Sequence, residues 1–306
     1  MARSAVLRDF VRRNGRLIGG IVSLLALAAF VHAFGKLLTL HDATIMVRDH
    51  WSALLAALAL YGVAYVPMCV AWQTLARGVG ARIAPLALVQ VFLVSQIGKY
   101  LPGNVGHLLG RAYLARSRGV PLDVSGIAMS LELAGVLAAG ALFAALAGAL
   151  SPGSGGYSLV APAAAILALI MASAVLVLAR KRTPRLRTLA GPMAAAVAYY
   201  LAVFTLLAAA NATLLGATSW PLALHVATAV VLSWLIGFMV PGAPAGLGLR
   251  EMSLYALLAG AFPAPTVLLA AVGMRLVTTT GDGLAWLAGI GLRHLGAPAE
   301  PSPVRG

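Results

Sequence analysis

The chain has 306 residues, of which 61% are hydrophobic and only 10% charged, far below the roughly 25% charge content of a soluble domain. Its net charge of +14 invites a nucleic-acid reading, but the basic residues sit mainly in short loops between apolar runs, which is how multi-pass membrane proteins are oriented. A separate soluble domain and a nucleic-acid partner are therefore both excluded.

The apolar runs define the elements in chain order. Arg3, Arg8, Arg12, Arg13 and Arg16 precede a first span over 17–40. The "VHA" at 31–33 weakly resembles a signal-peptidase site, but the run is too long for a signal core, and we read an uncleaved span. A second span covers 51–75, followed by Arg77 and Arg82. Next comes 85–119, an apolar stretch broken by Pro102-Gly103 and closed by Arg116 and Arg118. A third span over 122–150 leads into "SPGSGGY", a Gly-rich turn without the Lys-Ser/Thr of a phosphate-binding loop. A fourth span over 158–179 ends in "RKRTPRLR". A fifth covers 192–215, a second Pro-Gly segment covers 221–262, and a last span covers 266–292 ahead of Arg293 and Arg305. The single cysteine, Cys69, lies in an apolar stretch and is read as a small buried residue.

Loop charge sets the orientation. The N-terminus, the Arg77/Arg82 loop, the Arg116/Arg118 loop, "RKRTPRLR" and the tail are basic, whereas the loops at 41–50, 151–157, 216–220 and 263–265 hold one basic residue, Arg48. The basic set is placed in the cytoplasm, together with both termini. Arginine outnumbers lysine 19 to 3, which hints at a GC-rich bacterial genome and so at a bacterial cytoplasmic (inner) membrane.

Segment 85–119 starts and ends beside cytoplasmic charge, so it enters the membrane and returns. Its first arm, over 86–101, would reach about 24 Å as a helix, short for a full crossing. A re-entrant hairpin breaking at Pro102-Gly103 fits, and irregular backbone at that depth must be buried in protein or line a cavity. The alternative is a proline-kinked span followed by an interfacial helix.

A shift of 139 residues lays "VFLVSQIGKYLPGNVGHLLGR" (91–111) over "VVLSWLIGFMVPGAPAGLGLR" (230–250), with eight identities in 21 ungapped positions. The matches include Gly98/Gly237, Pro102/Pro241, Gly103/Gly242 and Arg111/Arg250. "PLAL" opens both segments, at Pro85 and Pro221, with different spacing to the break. Three full spans separate the copies, and an odd number inverts the second. The expected fold is thus an all-α polytopic membrane protein, a single integral membrane domain over 1–306. It has about six full spans plus two re-entrant helical hairpins, at 85–119 and 221–262, forming an inverted-topology repeat with a site near the midplane.

In each hairpin a helix N-terminus follows the Pro-Gly break, and its free N–H groups and dipole favour an anion. Gly103, Asn104 and Gly242 sit at these tips, and Arg111 and Arg250 lie eight residues further on, about 12 Å along a helix. Arginine's planar fork suits phosphate, so the two arginines are read as half-sites for a headgroup phosphate, one open to each leaflet. The alternative is that they snorkel or pair with carboxylates. Lys99 and His107 flank the first tip as further phosphate-binding candidates. Glu132 and Arg275, at similar depth in their spans, are candidate partners of one another. Glu251 and Asp282 are candidate partners of Arg250 and Arg275, or carriers of a coupling proton. The Gly106-x3-Gly110 spacing is read as close helix packing. No nucleophile–base set and no paired carboxylates are present, so the chain is not read as an enzyme. No metal site and no cofactor are expected.

The stretches "LPGNVGHLLGRAYLARSRGVP", "LELAGVL", "VPGAPAGLGLREMSLYALL" and "MRLVTTTGDGLAWL" resemble the lysylphosphatidylglycerol synthase transmembrane family. This is the flippase-like domain also found as the N-terminal half of the multiple peptide resistance factor. The resemblance covers roughly 17–292 and is most specific at Pro241, Gly242, Gly246, Gly248, Arg250 and Glu251. Glu132 and Arg275 match an acidic and an arginine position of the family, while His107 stands where the family usually has an acidic residue. The resemblance implies translocation of a phospholipid, a glycolipid or a polyprenyl-linked lipid, with membrane lipids of anionic headgroup as partners. Two other readings stay open. One is a secondary transporter of a small anionic solute. The other is a non-transporting subunit partnered with a lipid- or glycan-modifying enzyme.

Overall fold

A computed structural model describes residues 48, 50–100, 106–151, 160–180, 189–239 and 246–295. The predicted first span and both Pro-Gly tips, with Gly103, Asn104 and Gly242, lie outside the described residues. Among the described residues the chain is helical, with no strand. In order the helices are α1 (Trp51–Val79), α2 (Pro85–Ser95), α3 (Gly106–Arg116), α4 (Leu122–Leu150), α5 (Val160–Arg180), α6 (Ala190–Leu215), α7 (Trp220–Met239), α8 (Leu249–Leu258) and α9 (Ala264–Leu295). A 3₁₀ turn, Gln96–Tyr100, extends α2 toward the first tip.

Local sequence sets the ends. Pro85 takes the first position of α2, where its missing N–H costs nothing. Gly80 and Gly216 end α1 and α6 in the left-handed conformation, at φ 111° and 64°. Among the described residues five helices, α1, α4, α6, α7 and α9, are long and apolar enough to cross a membrane, and α5 occupies the predicted fourth span as a 21-residue helix. One expectation changes. The first arm of the second segment, α7, has 20 residues and about 30 Å of helix, enough to cross by itself. The first arm of the other segment is an 11-residue α-helix plus a five-residue 3₁₀ turn, shorter by several ångströms. The two are not equal re-entrant arms.

Helices α1, α4, α6 and α7 form the packed centre, with the α1–α6 interface the most extensive. Alanines line it: Ala64, Ala128, Ala134, Ala196 and Ala229 have no exposed surface. Small residues let helix backbones approach where lipid supplies no hydrophobic drive for association. Helix α9 closes the bundle against α1, α2, α6 and α8. The outer faces are apolar, with Leu142, Leu146 and Leu150 on α4 and Ile166, Ile170 and Val177 on α5 all exposed, a surface suited to hydrocarbon.

In both Pro-Gly segments the two arms pack on one another, α2 on α3 and α7 on α8. The glycine shared by the repeats explains the close approach. A Cβ on Gly98 would lie 2.7 Å from the backbone of Gly106 and His107. Backbone cannot swing aside, so Gly98→Ala is expected to destabilise the protein by about 1–3 kcal/mol, read as a lowered melting temperature in detergent. Gly110, expected to pack, faces open space instead. Gly110→Ala is therefore expected to change stability by less than about 1 kcal/mol, on the favourable side.

Candidate functional site

Arg111 rises from α3 into the bundle and is 2% exposed. Its guanidinium lies over the rings of Phe92 and Trp72, at 4.3 and 4.8 Å. Nε donates to Ser95 Oγ at 3.3 Å, and Nη1 pairs with Glu132 Oε2 on α4. The other carboxylate oxygen of Glu132 accepts from the Tyr200 hydroxyl at 2.8 Å. This charge is neutralised, hydrogen-bonded and walled by aromatics. It ties the second arm of the first segment to α1, α2 and α4.

A second polar knot centres on Asp282 of α9, which has no exposed surface. Tyr61 donates to Oδ1 at 2.7 Å, and Tyr65 donates to the same oxygen. Tyr100 donates to Oδ2 at 2.5 Å, and Lys99 Nζ lies 2.6 Å from that oxygen. Four donors satisfy a buried carboxylate and fasten α1 and the 3₁₀ turn to α9. Asp282→Ala leaves Lys99 uncompensated in a low-dielectric wall. The expected cost is about 3–5 kcal/mol, measurable as a loss of thermal stability in detergent.

Arg250 differs from both. It lies in the first turn of α8, and its guanidinium sits 5.2 Å from the centre of the Trp234 ring on α7. Trp234 in turn stacks on Phe238 at 4.9 Å, with planes 9° apart. Two glycines make room for the arginine stem, since a Cβ on Gly237 or Gly246 would fall 2.4 or 2.7 Å from it. Among the described residues Arg250 forms no ion pair with a carboxylate, and its Nε has no hydrogen-bond partner. Its neighbour Glu251, 5% exposed, pairs through Oε1 with Arg275 of α9, while Oε2 has no partner.

These pairings correct three expectations. Glu132 meets Arg111 and not Arg275. Glu251 meets Arg275 and not Arg250. Asp282 meets Lys99 and not Arg275. Glu132 takes the arginine of the helix packed on α4, whereas Arg250 and Glu251 are neighbours on α8 that point apart and Arg275 and Asp282 lie two turns apart on α9, so each of these carboxylates meets its cation on another element.

A cavity of about 220 Å³ opens beside Arg250, between α1, α3, α6, α7, α8, α9 and the 3₁₀ turn. Lys99, His107, Arg250, Glu251 and Arg275 line it, so five of the predicted residues converge on one space. Asn211, Ser233, Gln96 and Thr278 add neutral polar groups, and Met68, Leu207, Trp234 and Phe238 add apolar surface. The lining does not include Arg111 or Glu132, nor Asp282, which touches the cavity only through Lys99, Tyr61 and Tyr100. The two arginines expected as matched half-sites therefore sit in unlike surroundings. Lys99 has Asp282 and Arg275 has Glu251, so Arg250 is the cavity cation without a carboxylate among the described residues.

The repeat accounts for this asymmetry. Arg111 leans on Ser95, and 139 residues on, Arg250 leans on Trp234 at the matching position. The same shift takes Glu132 to Ala271, which lines the cavity. The first copy carries its own counter-charge, and the second copy has a methyl group there. Sequence reading missed Trp234, although its alignment with Ser95 was available. It also missed Tyr61 and Tyr65, whose spacing of four on one helix face was hidden by counting tyrosine as apolar.

A family model described as Lysylphosphatidylglycerol synthase TM region matches residues 16–284. No curated protein matches the chain.

Proposed function

The chain belongs to the lysylphosphatidylglycerol synthase TM region family, and from that premise we propose that it is a lipid translocase of the bacterial cytoplasmic membrane. It moves a lipid with a phosphate-bearing headgroup between leaflets and does not act as an enzyme. The observation that carries the proposal is Arg250: a half-buried arginine that forms no ion pair with a carboxylate among the described residues, at a polar cavity, inside a bundle whose outer face is apolar. An intramembrane charge is costly unless it meets a partner, and a phosphate offers the bidentate acceptor that a guanidinium prefers.

In this reading the headgroup occupies the cavity while its hydrocarbon chains stay along the apolar faces. The two Pro-Gly segments are the inverted halves of the transport unit. The first half has lost direct headgroup contact through Arg111 and keeps it through Lys99 and His107. The charge of the connecting loops supports cytoplasmic termini. No separate energy source is needed for movement down a lipid gradient.

The test is leaflet exchange in liposomes carrying the purified protein and a fluorescent anionic phospholipid, read by dithionite quenching. Exchange faster than in protein-free liposomes is expected. Exchange at the protein-free rate would overturn the proposal. Inhibition by inorganic phosphate at concentrations that match its own uptake would move the function to a soluble anion.

A further inference from the structure

Taking Lys99 as a headgroup contact, we propose that the Lys99–Asp282 pair couples lipid movement to one proton. When the phosphate draws Lys99 away, Asp282 takes up a proton, and lipid and proton cross together. The proposal rests on the translocase reading and adds the ion that travels with the lipid.

The pair sits at the cavity wall. Lys99, Tyr61 and Tyr100 line the cavity, while Asp282 lies behind them with no exposed surface. Lys99 Nζ is 2.6 Å from Asp282 Oδ2, and Asp282 is its one carboxylate among the described residues. An ammonium is a point charge on a flexible stem, so it can turn from Asp282 toward an anion in the cavity. That move strips a buried carboxylate of its counter-charge. Such a group is too costly to keep ionised, and it is neutralised by a proton.

The tyrosines suit both states. A hydroxyl donates or accepts, whereas an ammonium or guanidinium only donates. With Asp282 ionised, Tyr61, Tyr65 and Tyr100 all donate to it. With Asp282 protonated, Oδ2, the oxygen that Lys99 has left, donates to the Tyr100 oxygen. Tyr100 touches both the cavity and Oδ2. It passes its hydroxyl proton to Oδ2 and accepts one from a hydronium ion in the cavity. The hydroxyl is restored, a carboxylic acid forms and a water is left behind.

The other two paired carboxylates are not built this way. Glu132 pairs with Arg111 and Glu251 with Arg275, and a guanidinium is a rigid fork that keeps its charge. Around Asp282, α1 presents Tyr61 and Tyr65, and the 3₁₀ turn presents Lys99 and Tyr100. Helix α2 carries no titratable residue, and α6 faces the cavity with the neutral Leu207 and Asn211. Across the cavity stand His107 of α3 and Arg250 and Glu251 of α8, with Arg275 two turns from Asp282 on α9. One proton with one monoanionic phosphodiester makes the crossing electroneutral. An acid exterior then favours movement toward the inner leaflet.

The test uses liposomes holding the purified protein and acyl-labelled phosphatidylglycerol, with a pH difference of one unit across the membrane. Protein-free liposomes under the same gradient are the reference, and dithionite quenching reads the leaflet distribution. One proton per lipid turns one pH unit into a factor of ten. The expected result is about a tenfold excess in the leaflet facing the alkaline side, reached faster than without protein. A potassium diffusion potential without a pH difference is expected to leave the distribution even. Asp282→Asn, which keeps an acceptor for the tyrosines but takes up no proton, is expected to show no bias. Glu251→Gln is expected to keep the bias at whatever rate it exchanges.

Fast exchange with an even distribution under the pH difference would overturn the coupling and leave the translocase reading standing. So would a distribution that follows the potential, because the anion would then cross alone. Exchange at the protein-free rate would overturn both. A bias kept by Asp282→Asn, or lost in Glu251→Gln, would overturn the assignment to Asp282. If Asp282→Asn fails to fold, wild type still decides the coupling and Glu251→Gln decides the carboxylate.

Discussion

Arg250→Ala is expected to bring leaflet exchange down to the protein-free rate while leaving the bundle folded. Two features make the effect large. The guanidinium forms no ion pair with a carboxylate among the described residues, so on the proposed function the substrate phosphate is its counter-charge. It is also held in place by Trp234 and by the room that Gly237 and Gly246 leave. Losing a charged partner from a desolvated ion pair costs about 2–5 kcal/mol, roughly 30- to 4,000-fold in affinity. Arg250→Lys keeps the charge but loses the planar fork and its stacking on Trp234, and an intermediate rate is expected. The check is dithionite quenching in matched liposomes, with size-exclusion profiles showing that each variant remains folded.

Glu132→Ala is expected to act on the fold and not on recognition. It strands Arg111, 2% exposed between Phe92 and Trp72, with no anion. Breaking a buried pair from one side costs about 3–5 kcal/mol, whereas replacing both partners by apolar residues of similar volume is often neutral. Glu132→Ala combined with Arg111→Met is therefore expected to recover most of the stability that Glu132→Ala loses. Thermal unfolding in detergent checks both variants. A double variant no more stable than Glu132→Ala would show that Arg111 does more than balance Glu132.

How far the sequence could be read depended on the kind of signal. The span 122–150 coincides with α4, because a proline and a Gly-rich sequence bracket one apolar run. The Gly98/Gly237 match pointed to residues that both sit where the two arms approach closely, whereas Arg111 and Arg250 share a place on the second arm but not their surroundings. The length of α7 was misjudged although it was visible. Pro85 stands 17 residues before Pro102, and Pro221 stands 20 before Pro241, so the second arm gains almost one helical turn. Partner choice was not visible. Asp282 meets Tyr61 across 221 residues, and Arg275 meets Glu251 across 24, and nothing in either spacing says which helices pack. The difference between the two arginines goes with two unlike pairs under the 139-residue shift, Ser95/Trp234 and Glu132/Ala271. The second pair gained meaning only once the cavity beside Ala271 was seen.

The most direct test of Arg250 as the anion seat is the melting temperature of purified wild type and Arg250→Ala, each with and without phosphatidylglycerol. A ligand at about 100 times its dissociation constant stabilises the folded state by about 2.7 kcal/mol. The expected result is a clear upward shift for wild type and none for Arg250→Ala, with the lipid-free variant no less stable than lipid-free wild type. A variant that kept the full shift would contradict the assignment.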